Sequence, residues 1–116
     1  MQEVSVMREL LYNAAENYQE GRALAEQGDI HGAISAYTWA LHHLHAVKPL
    51  RERDALLAQV YLSRYQVSLK YQALKAYSDL RMGYSYAKMT KQAEVRELAE
   101  RLWQDYLTKK RASVHN

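Results

Sequence analysis

The sequence predicts an all-α fold of about five helices, and three observations carry that expectation. Apolar residues recur at steps of three and four along most of the chain, the spacing of one helix face. Only four glycines and one proline occur in 116 residues, too few turn signals for a sheet built from hairpins. The clearest breaks, Gly28-Asp29 and Pro49, fall between apolar stretches rather than inside them.

The first helix is expected over residues 3–27. Met7, Leu10, Leu11, Ala14, Tyr18, Gly21, Leu24 and Ala25 make one apolar stripe. Gly28 suits the left-handed residue that ends a helix, and Asp29 can cap the next by accepting from an orphan amide. The second helix, Ile30 to Val47, places Ile30, Ala33, Ile34, Tyr37, Leu41 and Leu44 on its face and leaves Trp39 off it. Small residues at Gly21, Ala33 and Ala40 mark where the two backbones approach. Pro49 stops the second helix, because the residue before a proline is pushed out of helical geometry.

A third helix is expected from about Leu50 to Ser68, with Ala58, Tyr61, Leu62, Tyr65 and Leu69 on one side. A fourth, from about Lys70 to Lys88, carries Ala73, Leu74, Tyr77, Leu80 and Tyr84. No glycine or proline separates these two, so one continuous helix is the alternative, although its length would far exceed the usual. Thr90 is the expected N-cap of a last helix over 90–112, with Val95, Leu98, Ala99, Leu102 and Tyr106 as its stripe and Trp103 beside it. Lys109, Lys110 and Arg111 fall in its last turn, where cations favour the helix C-terminus, and the tail after Ala112 is expected to fray.

Length and composition fit one domain, residues 1–116, with a single core. Apolar residues make up 48% and charged residues 25%, the balance of a soluble globular chain. No apolar run is long enough to span a bilayer, and MQEVSVMREL lacks a signal core, so a cytoplasmic protein is expected. The absence of cysteine excludes disulfides, thiol chemistry and cysteine-ligated metal. Charge is divided unevenly. Residues 1–47 hold two basic and six acidic side chains, a net of −4, whereas residues 48–116 hold fourteen and seven, a net of +7. That polarity favours an acidic partner or head-to-tail self-association over nucleic acid.

Gly21, Leu24, Gly28-Asp29, Ala33, Tyr37 and Pro49 together resemble a tetratricopeptide repeat, a helical hairpin used in stacked arrays. Asn17 and Glu20 depart from its pattern, standing where an aromatic and a leucine belong. A weaker second copy over 54–82 sets Ala73, Tyr77 and Leu80 in the places of Ala33, Tyr37 and Ala40, a separation of 40 residues where the family has about 34. The resemblance implies two antiparallel hairpins, 3–47 and 50–88, closed by a capping helix over 90–112. It also implies a non-enzymatic protein-binding scaffold, without cofactor or metal, that holds a partner segment in a groove lined by the first helix of each hairpin. Carried over, the groove residues are Ala15, Tyr18, Arg22, Ala25 and Glu26 from the first copy and Gln59, Ser63 and Gln66 from the second. Some family members clamp a carboxylate with lysine and asparagine; Tyr18 and Arg22 stand there instead, so that clamp is not implied. The same hairpin would suit a microtubule-interacting and trafficking module, or a structural subunit whose groove is filled by a second copy.

Chemistry-bearing clusters are sparse. His42 and His45 lie three apart on one helix side and His43 points elsewhere, which makes two imidazoles without a carboxylate, a poor metal site. No phosphate loop, nucleophile elbow or zinc-protease motif occurs, so an enzyme is not expected. Arg64, Lys70, Lys75, Arg81, Lys88 and Lys91, near Tyr65, Tyr71 and Tyr86, would serve nucleic acid only if they formed one stripe.

Overall fold

A computed structural model describes residues 3–71 and 73–115, the side chains at 73–75, 114 and 115 excepted. Five helices follow one another: α1 Val4–Glu26, α2 Ile30–His45, α3 Arg51–Leu69, α4 Ala73–Lys88 and α5 Ala93–His115. No strand occurs among the described residues, and no helix there is long and apolar enough to cross a membrane.

The turn between α1 and α2 forms as its residues require. Gly28 has φ +83°. Its N–H donates to the Ala25 carbonyl and the Asp29 N–H to the Leu24 carbonyl, at 3.1 and 2.9 Å. These two bonds satisfy carbonyls that the end of α1 would otherwise leave orphaned. The Asp29 carboxylate accepts from the Gly32 N–H at 2.9 Å and caps α2. Across the hairpin, Ala14, Gly21, Ala33 and Ala40 are buried, so the two backbones meet on small residues.

α2 ends at His45, two residues short of the expected Val47. Val47 is buried in the connection, and its carbonyl accepts from Arg53, which also pairs with Asp54 at 2.8 Å. α3 is buried nearly all round rather than on one side. Leu57, Val60, Tyr61 and Val67 join a cluster with α1 and α2, while Ala58, Leu62 and Tyr65 join another with α4 and α5. α3 therefore separates two apolar clusters where a single core was expected.

α3 and α4 are two helices and not one. α3 ends at Leu69, and the Tyr71 N–H turns back to the Ser68 carbonyl. α4 faces α3 through Ala76, Leu80, Gly83 and Ala87, one register away from the expected Tyr77 and Tyr84. A Cβ at Gly83 would stand 2.7 Å from Leu62 Cδ2, which shows how closely α3 and α4 pack there. Tyr77 and Tyr84 are half-buried and turn toward α5, where Tyr77 stacks on Tyr106 at 4.8 Å and Tyr84 on Trp103 at 5.1 Å. The expected contributions of Ala73 and Leu74 to the α4 stripe, and of Lys75 to a basic surface, lie outside the described residues.

Two expectations about α5 are corrected. The helix starts at Ala93, so Thr90 precedes the capping position; it is buried, and its hydroxyl accepts from the Gln92 N–H at 3.2 Å to close the turn. At the other end, α5 continues to His115, with no glycine or proline to stop it near Ala112.

Each helix packs on the next, and α1 also touches α3 as α3 touches α5. α2 and α4 make no such contact among the described residues. The stack, 54 × 29 × 21 Å, therefore closes on the side of the odd-numbered helices. α4 begins and ends 43 residues after α2, and its buried series Ala76, Leu80, Gly83, Ala87 lies 43 after Ala33, Tyr37, Ala40, Leu44.

Candidate functional site

A cleft of about 490 Å³ opens on the odd-helix side. α1 supplies Arg22, Ala25 and Glu26, α3 supplies Ser63, Gln66, Val67 and Leu69, Lys70 follows at the end of α3, and α5 contributes Leu102. Ile30 and Tyr37 of α2 complete its floor. Helical spacing explains the α1 wall, since Arg22 and Glu26 stand one turn apart with Ala25 between them on the same side. It explains the α3 wall too, because Ser63, Gln66 and Lys70 follow steps of three and four.

Five of the eight residues read from the sequence meet here: Arg22, Ala25, Glu26, Ser63 and Gln66. Tyr18 lies at the edge and ties the walls together. Its hydroxyl is 3.3 Å from Ser63 Oγ, and its ring stands 5.9 Å from that of Tyr37. The Arg22 guanidinium sits 5.8 Å from the Tyr18 ring centroid, within cation–π range. Tyr18 is thus a bridge from α1 to α3 more than an open platform. Ala15 and Gln59, each about one turn before that bridge, are half-buried and do not line the cleft.

The cleft is amphipathic. Its floor joins Ile30, Val67, Leu69 and Leu102, and burial raises the Tyr37 phenol above its ordinary pKa, with Tyr18 adding to the effect. Its rim carries exposed Arg22, Glu26, Gln66 and Lys70, and no ion pair joins Arg22 or Lys70 to a carboxylate among the described residues. Such a surface can bury apolar side chains and pair with carboxylates and backbone groups along one flank.

Sequence reasoning missed Lys70, Leu102 and the apolar floor. Lys70 was within reach, as the next step of the series 59, 63, 66. Leu102 was not, because nothing local tells that α5 folds back beside α3.

Other candidate groups have other partners. His45 Nε2 lies 2.8 Å from the Tyr61 hydroxyl and so turns away from His42. His42 and His43 instead flank the ring of Trp39, at 5.6 and 6.2 Å, and Trp39 is 56% exposed. No group of three or more histidine or acidic side chains fit to hold a metal occurs among the described residues. The basic series also divides. Arg64 pairs with Asp79 through two bonds, Lys70 reaches the cleft, and Lys88 covers the Tyr84 ring at 4.6 Å. Compared with family models, with curated proteins and with solved structures, the chain gives no match.

Proposed function

We propose that this chain is a non-enzymatic binding module that holds a polypeptide segment in the cleft between α1, α3 and α5. The observation that carries the reading is the pairing of an apolar floor with two cations, Arg22 and Lys70, that have no carboxylate partner among the described residues. A segment with apolar side chains on one face and acids on its flank would satisfy both. A tetratricopeptide-like array is the architecture we favour. It is supported by the small-residue crossing of α1 and α2, the capped Gly28-Asp29 turn, and the offset of 43 residues between α2 and α4. That offset exceeds the family's period of about 34, and the longer helices absorb the difference.

The test is a photoreactive side chain placed at Gln66 in the cleft and, separately, at Trp39 on α2. Cleft binding requires that a bound polypeptide be crosslinked from position 66 and not from position 39. Crosslinking from 39 alone would move the binding surface to the even-helix side.

A further inference from the structure

We propose that the groove between α4 and α5 binds single-stranded nucleic acid, on a surface separate from the cleft between α1, α3 and α5. On α4, Tyr77, Arg81, Tyr84 and Lys88 follow at steps of four, three and four. Aromatic and cationic side chains therefore alternate along one stripe. On α5, Arg96, Trp103 and Lys110 recur every seven residues, about two turns, and share a second stripe. The two stripes meet. Trp103 stacks on Tyr84 at 5.1 Å and on Tyr77 at 6.3 Å, and Tyr106 extends the row by stacking on Tyr77 at 4.8 Å. Leu102 lines the cleft beside α3, so its neighbour Trp103 sets this groove on another side of α5.

Single-strand binding needs rings for the bases and cations for the backbone, and the groove supplies both. All four rings are half-buried and keep part of their surface open to solvent. Lys88 Nζ rests over the Tyr84 ring at 4.6 Å, a position a base could take while the flexible ammonium moves to a phosphate. Arg81, Lys88, Arg96 and Lys110 are exposed, and no ion pair joins any of them to a carboxylate among the described residues. Toward Lys88 lies a hollow of about 420 Å³, lined by Tyr84, Ala87, Lys88, Arg96, Ala99 and Glu100. The Glu100 carboxylate is engaged, accepting from the Tyr84 hydroxyl and the Gln104 amide, each at 3.0 Å. An acidic polypeptide would meet the cations and leave the rings idle, and a duplex would keep its base faces stacked inside. A single strand uses both.

Fluorescence anisotropy of a labelled oligothymidylate of about ten nucleotides, titrated with the full chain at several salt concentrations, tests this. The wild-type chain should bind, with an affinity that falls as salt rises. Arg81→Gln and Lys88→Gln should each flatten the logarithmic salt slope by about 0.7. Tyr84→Leu should instead weaken binding about tenfold at an unchanged slope, since it removes a stacking ring and no charge. Arg81→Glu with Lys88→Glu should abolish binding. Arg22→Glu with Lys70→Glu, the same change of charge placed in the cleft, should leave most of it. Those four side chains are exposed, so helicity by circular dichroism should be unchanged in both double variants. No binding at low salt, or an equal loss from the two double variants, overturns the inference. Equally good displacement by polyglutamate overturns it too, and would assign the groove to an acidic polypeptide. The cleft reading stands or falls separately, on the crosslink from position 66.

Discussion

The ring of Tyr37 fills the space that a side chain at Gly21 would need: a Cβ built there would stand 2.5 Å from Tyr37 Cε1. The ring is 2% exposed and packed between the helices, so it cannot swing aside. Gly21→Ala is therefore expected to destabilise the chain by about 1–3 kcal/mol, and Ala33→Leu at the same crossing by at least as much. Gly28 makes the control, since a Cβ there meets nothing within 4 Å and only its φ of +83° resists substitution. Gly28→Asn should cost less than Gly28→Ala, because asparagine tolerates left-handed geometry better. Thermal melts of the four variants check the order.

Asn17 carries the one buried side-chain oxygen or nitrogen without a hydrogen-bond partner among the described residues, its Oδ1. It follows Ala14 and precedes Gly21 on the stripe of α1, where the repeat pattern expects an aromatic. An unsatisfied buried acceptor costs about 1–3 kcal/mol, so Asn17→Leu should raise the denaturant midpoint. A lowered midpoint would mean that the amide performs work the packing does not reveal.

Arg64 joins three helices. Its guanidinium donates to both Asp79 oxygens of α4 at 2.8 and 2.7 Å and to Thr38 Oγ1 of α2 at 3.1 Å. Asp79 is 6% exposed, and removing Arg64 would strand its carboxylate. Arg64→Met is expected to cost on the order of 3 kcal/mol, the low end for a buried pair because Arg64 itself reaches solvent. The double variant with Asp79→Leu should recover much of that loss, as measured by urea unfolding.

His45 gives the fold a pH dependence. Burial first, and Arg53 second, lower its pKa below the ordinary 6.5. The unfolded chain then binds a proton that the folded chain refuses. The associated stability is complete above about pH 6.5 and declines as pH falls toward the lowered folded value. His45→Gln, which keeps a polar group facing the Tyr61 hydroxyl, should flatten the loss of urea midpoint between about pH 7.5 and pH 5.5. An unchanged slope would assign the loss to other groups.

Removing residues 90–116 should expose the α4 surface beneath α5. Tyr77 and Tyr84 would lose the rings of Trp103 and Tyr106, and Leu80 would lose Val95 and Ala99 from its cluster. Aggregation or loss of cooperative melting is the expected outcome, since a contiguous apolar face would be left to water. A soluble truncation with a sharp melt would show α5 to be dispensable.

The first hairpin was legible because its signals are local. A left-handed glycine, a capping aspartate and small residues at helical spacing each act over a few positions. α3 was misread for the opposite reason: Leu57 and Val60 look like breaks in a stripe until helices on both sides are known to bury it. In α4 the tyrosines at 77 and 84 drew the expected stripe toward themselves. A tyrosine ring is satisfied half-buried with its hydroxyl wet, so the deepest positions went to Ala76, Leu80, Gly83 and Ala87. The α1 wall of the cleft followed from the repeat-like register, whereas Leu102 depends on a packing between distant helices that no window of sequence contains.

The cleft itself is tested most directly by amide chemical-shift mapping. A labelled chain titrated with a peptide that alternates leucine and glutamate should show its largest shifts at Arg22, Glu26, Ser63, Gln66, Lys70 and Leu102, and these should vanish in a double variant, Arg22→Glu with Lys70→Glu, at unchanged melting temperature. Shifts gathered instead around Trp39, His42 and Met82, or none at saturating peptide, would contradict a binding cleft between α1, α3 and α5.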